Sequence, residues 1–395
     1  MNKKITLLVI FCCCIAVLQA KSLEIKLTKA ESLSDFISAE DIKSTTQLHI
    51  SGPIGGNDIK LIREMAGGGF NEMENTEGCL EHLDLSKAHI VESEHPYYRM
   101  GEELFTKNNC LGTFMFYNCS RLTSIVLPDN LEAIEYAVFS HTQIESIFIP
   151  QKVKLITESF EEASLLQEII IADSNPYYQS IDGVIFSEDS DTLHIFPNGR
   201  TGNYIIPKNT KHIAPNAFRG CHINYVDIPE SITEISEMAF YNCDIKVVNL
   251  PQETTKIGKS AFSDCNHLER IYIPSNIKRI DYRAFAFLPK LKEVYISATN
   301  PPSCNNPFEG SLGDNNPVLY IPNGCLENYS QAYGYNFGAF SRIKEYCTTG
   351  NSSNKMNRFA SEQFFINGWK ALEQSQGLLI QSQSDGRFVK VLVRP

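Results

Sequence analysis

The sequence predicts a repeat solenoid, rich in β-structure, and three observations carry that prediction. First, Phe recurs at 218, 240, 262 and 285, Cys at 221, 243 and 265, and Pro at 229, 251 and 274, a lag of 22 residues and once of 23. A fixed period in this range marks a solenoid, in which each repeat contributes one coil and stacks on its neighbours. Second, the pattern Leu-x-x-Ile-x-Ile-Pro recurs, and its last two apolar positions flank one outward residue, as in a short strand with one buried face. Third, 395 residues with 43% hydrophobic content suit an elongated array and argue against disorder.

Taken in order, residues 1–20 read as a secretory signal. Lys3 and Lys4 form a basic start, Ile5 to Leu18 an apolar run, and Ala20 a small residue at a plausible cut. Residues 21–112 read as an N-terminal cap. Glu31 to Ile42 and Asn57 to Ala66 have helical spacing, and Leu80-x-x-Leu83-x-Leu85 already has the strand pattern of the repeats.

The repeat region spans 113–299. Its strands are marked by Leu122/Ile125/Leu127, Ile144/Ile147/Ile149, Leu166/Ile169/Ile171, Ile223/Val226/Ile228, Ile245/Val248/Leu250, Leu268/Ile271/Ile273 and Leu291/Val294/Ile296. Pro follows most of them and stops the pairing, since it has no N–H for a ladder. A second buried segment follows in each coil, as in Ile232/Ile235/Phe240 and Ile277/Ile280/Phe285. The register breaks once, with 58 residues between Phe160 and Phe218. The insert, 173–207, carries the turn pair Asp182-Gly183 and two strands around Glu188 to Asp191, and reads as a hairpin projecting from the stack. Residues 300–346 read as a C-terminal cap with a last strand at Val318 to Pro322 and a short helix from Leu326. A polar linker, 347–359, and a small β tail, 360–395, complete the chain.

Removal of the signal would change the net charge from −11 to −13, a balance that repels nucleic acid. No later run is apolar for 18 residues, so no membrane span is expected, and nothing in the sequence sets an oligomeric state. Cys119, Cys221, Cys243 and Cys265 hold one repeat register and should line the interior as small apolar thiols. Rungs ~4.8 Å apart would let a disulfide reach but strain the stack. Cys79, Cys110, Cys304, Cys325 and Cys347 lie outside that register, and a Cys304–Cys325 bridge is open on spacing alone.

No catalytic motif is complete, neither Gly-x-Ser-x-Gly nor His-Glu-x-x-His, and the sequence points to no enzyme and no cofactor. Gly258-Lys259-Ser260 lacks the earlier Gly of a phosphate loop and fills the repeat register instead. His89, Glu92, Glu94 and His95 lack a Cys or second cluster to complete a metal shell and read as a solvated loop. Glu188, Asp189 and Asp191 lack the ordered spacing of a calcium loop.

What does form a pattern is the outward strand position: Val126, Phe148, Ile170, Asp227, Asn249, Tyr272 and Tyr295. Beside it run Ser124, Ser146, Glu168, Tyr225, Val247, Arg270 and Glu293. From these two rows Val126, Phe148, Ile170, Tyr225, Asn249, Tyr272 and Tyr295 are the candidate partner-binding residues. A row of exposed apolar and aromatic side chains reads as a binding face. Strand propensity alone also places such residues on exposed faces, so both readings stand.

The string Phe-x-x-Cys-x-x-Leu-x-x-Ile-x-Ile-Pro-x-x-Ile-x-x-Ile-x-x-x-Ala-Phe, from Phe262 to Phe285, resembles the BspA-type leucine-rich repeats. The insert from Asn175 to Phe186 is similar to that family, as are Arg63 to Gly67 and Leu83 to Ser86. The resemblance covers nearly all of 25–346. It implies a leucine-rich repeat solenoid in a secreted or surface-exposed bacterial protein, of a family in which several members are implicated in adhesion to host or neighbouring cells. Residues 384–393 are similar to short C-terminal β tails on secreted proteins of gut anaerobes, whose longer relatives act as sorting signals.

The reading is an exported binding protein, secreted or at the cell surface, that holds an extracellular protein or glycan on its strand face. Two rivals stay open. A structural role in surface layers or co-aggregation would need no ligand stripe. A hydrolase would need three ionisable side chains meeting in a closed cleft, as between hairpin and stack.

Overall fold

The computed structural model describes residues 20–346, apart from 73, 314–315 and 332–335, together with strands at 378–382 and 388–392. The expected signal up to residue 19, the linker at 347–359 and most of the tail lie outside the described residues. The chain divides into units at 1–346 and 347–395. In the second, Leu378–Ser382 and Phe388–Leu392 pair antiparallel.

The first unit is a β-solenoid of about 13 turns. Each regular coil has three sides, and each side hydrogen-bonds to the next coil. The first side is the strand of the Leu-x-x-Ile-x-Ile-Pro pattern. Such strands pair in parallel, as in Val247–Asn249, Arg270–Ile273, Glu293–Ile296 and Val318–Pro322, and the last pairs on to Arg342–Tyr346. The second side is a two-residue parallel step, as in Glu234–Ile235, Lys256–Ile257 and Arg279–Ile280.

The third side is the Phe-bearing turn. The backbone is left-handed two residues before and two residues after the column Phe: Met238 and Asn242 around Phe240, Ser260 and Asp264 around Phe262. Such a φ costs an ordinary residue roughly 1–2 kcal/mol. The alternation turns every second N–H group toward the next coil, and the ladder offsets the strain. Met238, Phe240 and Asn242 donate to the carbonyls of Lys259, Ala261 and Ser263. Recurring Asn and Asp at the second of these positions suit the left-handed region.

Inside, the Phe rings form a stacked column. Phe218, Phe240, Phe262, Phe285 and Phe308 follow one another with centroids 4.8–5.5 Å apart and planes within 14°. Phe337 and Phe340 close the column edge-on over Phe308. Beside it the thiols of Cys243 and Cys265 donate to the Phe218 and Phe240 carbonyls of the preceding coil. Burial pushes the Cys265 thiol up to about 12. Among the described residues every cysteine, Cys304 and Cys325 included, is a free thiol; Cys347 lies outside them.

Three expectations change. The helical spacing of 31–42 yields a short 3-10 turn, Leu33–Asp35, and a helix only from Ala39, because Ser38 and Asp41 bond each other in a capping box that starts the helix there. The N-terminal cap contains more strand than its pattern announced. Lys21–Lys26, Thr45–Ile54 and His82–Ile90 join Ser124–Val126 in one parallel sheet, so the cap extends the strand face.

The third correction concerns the insert, which does not project. Tyr178–Ile181, Val184–Ser187 and Thr192–Ile195 form an antiparallel meander whose last strand pairs in parallel with His212–Ile213 of the second side. Val184, Phe186 and Leu193 belong to the core of the C-terminal half, and Ile185 between them to the core of the N-terminal half. A strand buried on both faces cannot stand out in solvent. Phe196, at the end of the meander, lies 22 residues before Phe218 and stacks on it at 4.9 Å. The extra residues therefore make one long coil, from Phe160 to Phe196. Gly199 lets it close: a Cβ there would lie 2.5 Å from the Leu165 carbonyl carbon.

The N-terminal end is held by two buried charges. Arg63, on the helix Gly56–Met65, donates to the carbonyls of Gly69, Phe114 and Met115 and lies 4.1 Å from the Tyr98 ring centroid. Asp58 accepts from the N–H groups of Glu31, Leu33 and Gly55.

Candidate functional site

The strand face is built by the register. Where strands pair in parallel, one outward position repeats up the sheet. At the N-terminal end this row holds Glu24, His49, Asp84 and Val126. Phe148 and Ile170 pair with each other in the next strands, and Ile205 pairs with Asp227 beyond the long coil. Asn249, Tyr272, Tyr295, Tyr320 and Lys344 continue the row.

The seven expected residues do not share one environment. Val126, Phe148 and Ile170 are 50%, 52% and 40% exposed. They stand beside exposed Ser124, Ser146 and Glu168, so an apolar stripe runs along a polar edge. Tyr225, in the neighbouring row, is half-buried, and burial pushes its phenol up to about 12. Asn249 and Tyr295 are also half-buried, and Tyr272 is only 6% exposed. The reason is stacking. Tyr272 lies 4.8 Å from Tyr295, and Tyr295 lies 4.4 Å from Tyr320, all nearly parallel. Lys344 covers the last ring at 5.9 Å. Each ring in this ladder shields its neighbour.

Sequence reasoning missed Ile205, the most exposed apolar residue of the row at 70%, and the continuation through Tyr320 and Lys344. The signal was present in Tyr204-Ile205-Ile206-Pro207 and Leu319-Tyr320-Ile321-Pro322, which carry the strand pattern. It also missed the N-terminal continuation, where His49 and Asp84 pair at 3.2 Å. Leu48-His49-Ile50 shows the alternation without the 22-residue lag.

A second feature lies where the long coil interrupts the Phe column. Phe139 stacks on Phe160, and Phe196 on Phe218, while a cleft of about 170 Å³ opens between the two groups. Thr157, Glu158 and Glu161 reach it from one side, His194 and Asn198 from the long coil, and Asn216 and Arg219 from the other. Arg219 Nε lies 2.8 Å from Glu161 Oε1, and Asn216 Nδ2 donates to Glu158 Oε1 at 2.8 Å. These two contacts tie the halves together where no ring does. Burial holds His194 below the usual imidazole range. Ionisable side chains thus meet between insert and stack, the arrangement the hydrolase reading required, in a cleft open to solvent and not a closed one.

The other candidates fall elsewhere. Among the described residues no group of three His, Cys, Asp or Glu side chains is placed to hold a metal ion. Asp189 accepts from Ser187 Oγ and Asp191 N, and so shapes its own turn. Gly258 is a stacking residue: a Cβ would lie 2.7 Å from Glu237 N. Among the described residues no helix is long and apolar enough to cross a membrane.

Coil, column and outward strand row together define a leucine-rich repeat solenoid. The chain belongs to the BspA type leucine rich repeat family, whose repeat-region model matches residues 103–201 and 193–313 in 6 copies. Among solved structures it aligns with the pneumococcal vaccine antigen PcpA, at 17% identity over 76% of this chain and 74% of that one, TM-score 0.47. It also aligns with a leucine rich cell surface protein of Faecalibacterium prausnitzii A2-165, at 23% identity over 80% and 76%, TM-score 0.47. A leucine-rich repeat protein of Eubacterium ventriosum aligns at 15% identity over 84% and 92%, TM-score 0.44. No curated protein sequence matches significantly.

Proposed function

We propose that the protein is a secreted or surface-displayed binding protein that holds an extracellular partner on its strand face, with adhesion as the outcome. The exposed run Val126–Phe148–Ile170 carries this reading. These are apolar side chains in successive coils, Phe148 and Ile170 on paired strands, beside a polar edge. Desolvating them would release about 25 cal/mol per Å² of apolar area, while Ser124, Ser146 and Glu168 supply hydrogen bonds at the rim. A protein surface suits this combination best. Family membership, and the reading of residues 1–20 as a secretory signal, support placement outside the cytoplasm.

The test replaces Val126, Phe148 and Ile170 together by Ser and measures adhesion to host matrix proteins, polysaccharides and neighbouring bacterial cells. Loss of at least about tenfold in affinity is expected, since anchors of this kind cost 1–2 kcal/mol or more each. Unchanged adhesion would remove the stripe from the function. Tyr272 and Tyr295 are poor probes, because their loss also unstacks the sheet.

A further inference from the structure

The cleft between the halves carries buried polar atoms that nothing in the protein uses. Thr157 Oγ1 and Asn216 Oδ1 are each buried without a hydrogen-bond partner. The Tyr136 phenol hydrogen-bonds the Glu161 carboxylate, and burial together with that bond pushes it up to about 12. Unpaired buried polar atoms are costly and rare in folded proteins, so two at one cleft are an unmet demand. Asn216 sits in the left-handed region, at φ 59°, while its amide ties to Glu158.

The two orphans define the chemistry. Both accept hydrogen bonds, and the Thr hydroxyl can also donate. Arg219 stands beside them with its guanidinium 5.1 Å from the Tyr241 ring centroid, which adds donors and neutralises the Glu161 carboxylate it pairs with at 2.8 Å. Ile156, Ile195 and Pro215 give the cleft an apolar wall. At about 170 Å³ it is smaller than the roughly 300–1,000 Å³ of a drug-sized pocket and suits one ring. We infer that this cleft binds a neutral hexopyranose, as the terminal residue of a glycan: ring hydroxyls donate to Thr157 and Asn216, accept from Arg219, and the ring's C–H face lies on the apolar wall.

The test is saturation-transfer NMR on the full chain with a panel of methyl hexopyranosides and with n-butylammonium as the cationic control. Transfer to at least one neutral sugar is expected. It should weaken by about tenfold or more in Thr157→Val, which removes a hydrogen-bonding group from the ligand, and in Pro215→Phe, which fills the mouth from an exposed position. Thr157→Val should leave the melting temperature unchanged or raised, because it deletes an unpaired buried hydroxyl. Phe148→Ser should leave the sugar signal intact, which separates this site from the strand face. No transfer to any sugar, transfer insensitive to both cleft variants, or transfer to the ammonium alone would overturn the assignment.

Discussion

The two ends of the outward strand row occupy the same repeat position and behave in opposite ways. In the N-terminal half Val126, Phe148 and Ile170 point into solvent. In the C-terminal half Tyr272, Tyr295 and Tyr320 lie flat on one another. Rung spacing is common to both, so side-chain shape makes the difference. Planar rings one rung apart can share their faces, and each gains about 0.5–1.5 kcal/mol beyond burial. Val and Ile offer no such face, and the single Phe148 has no aromatic neighbour in the row. An aromatic stripe therefore covers itself, and an aliphatic one stays open to a partner.

Substitutions grade this contrast from the inside outward. Phe240→Ala should cost the most, about 3–5 kcal/mol in a urea titration, because its ring is fully buried between Phe218 and Phe262. A loss under 1 kcal/mol would deny that the column carries the stack. Tyr295→Ala comes next. It removes two stacking contacts, worth about 1–3 kcal/mol together.

Alkali probes the same ladder. Burial first, with Glu293 and the adjoining rings adding to it, raises Tyr295 above the ordinary tyrosine range, and burial raises Tyr272. The folded state thus holds these protons more tightly than the unfolded one. Their contribution is complete below about pH 10 and falls as pH rises above it. Unfolding midpoints should drop above about pH 10, and less so in Tyr295→Phe; identical slopes would remove the ladder as the cause. Phe148→Ala is the mildest change, within about 0.5 kcal/mol on stability, as for an isolated exposed side chain. A larger loss would show that Phe148 is structural and weaken its role as a contact residue.

Much of this architecture was legible in the chain. Phe218 to Phe285 announced the column, and Ile-x-Ile-Pro announced the strand side and its outward row. The N-terminal strands were harder to see, because Leu48 and Ile50 keep the alternation but not the lag. Phe196 was hidden differently. It is 22 residues from Phe218, yet the turn residues of 173–191 suggested a hairpin clear of the stack, and only the core shows Val184 and Ile185 facing opposite ways. Arg63 stood in a family-like segment, Arg63 to Gly67, but nothing there announced its burial. A buried guanidinium answered by three backbone carbonyls and a ring depends on groups brought together from Gly69 to Met115.

By itself, then, the sequence determined the repeat, the family it resembles and which positions turn outward, because a period of 22 with a two-residue alternation leaves the coil little choice. Tertiary structure decided which outward residues remain free and where the stack is interrupted. Exposure of a tyrosine depends on what lies one rung away, and the cleft beside Glu161 and Asn216 exists only because a long coil separates Phe160 from Phe196. Such neighbours, distant along the chain, meet only once the coils are stacked.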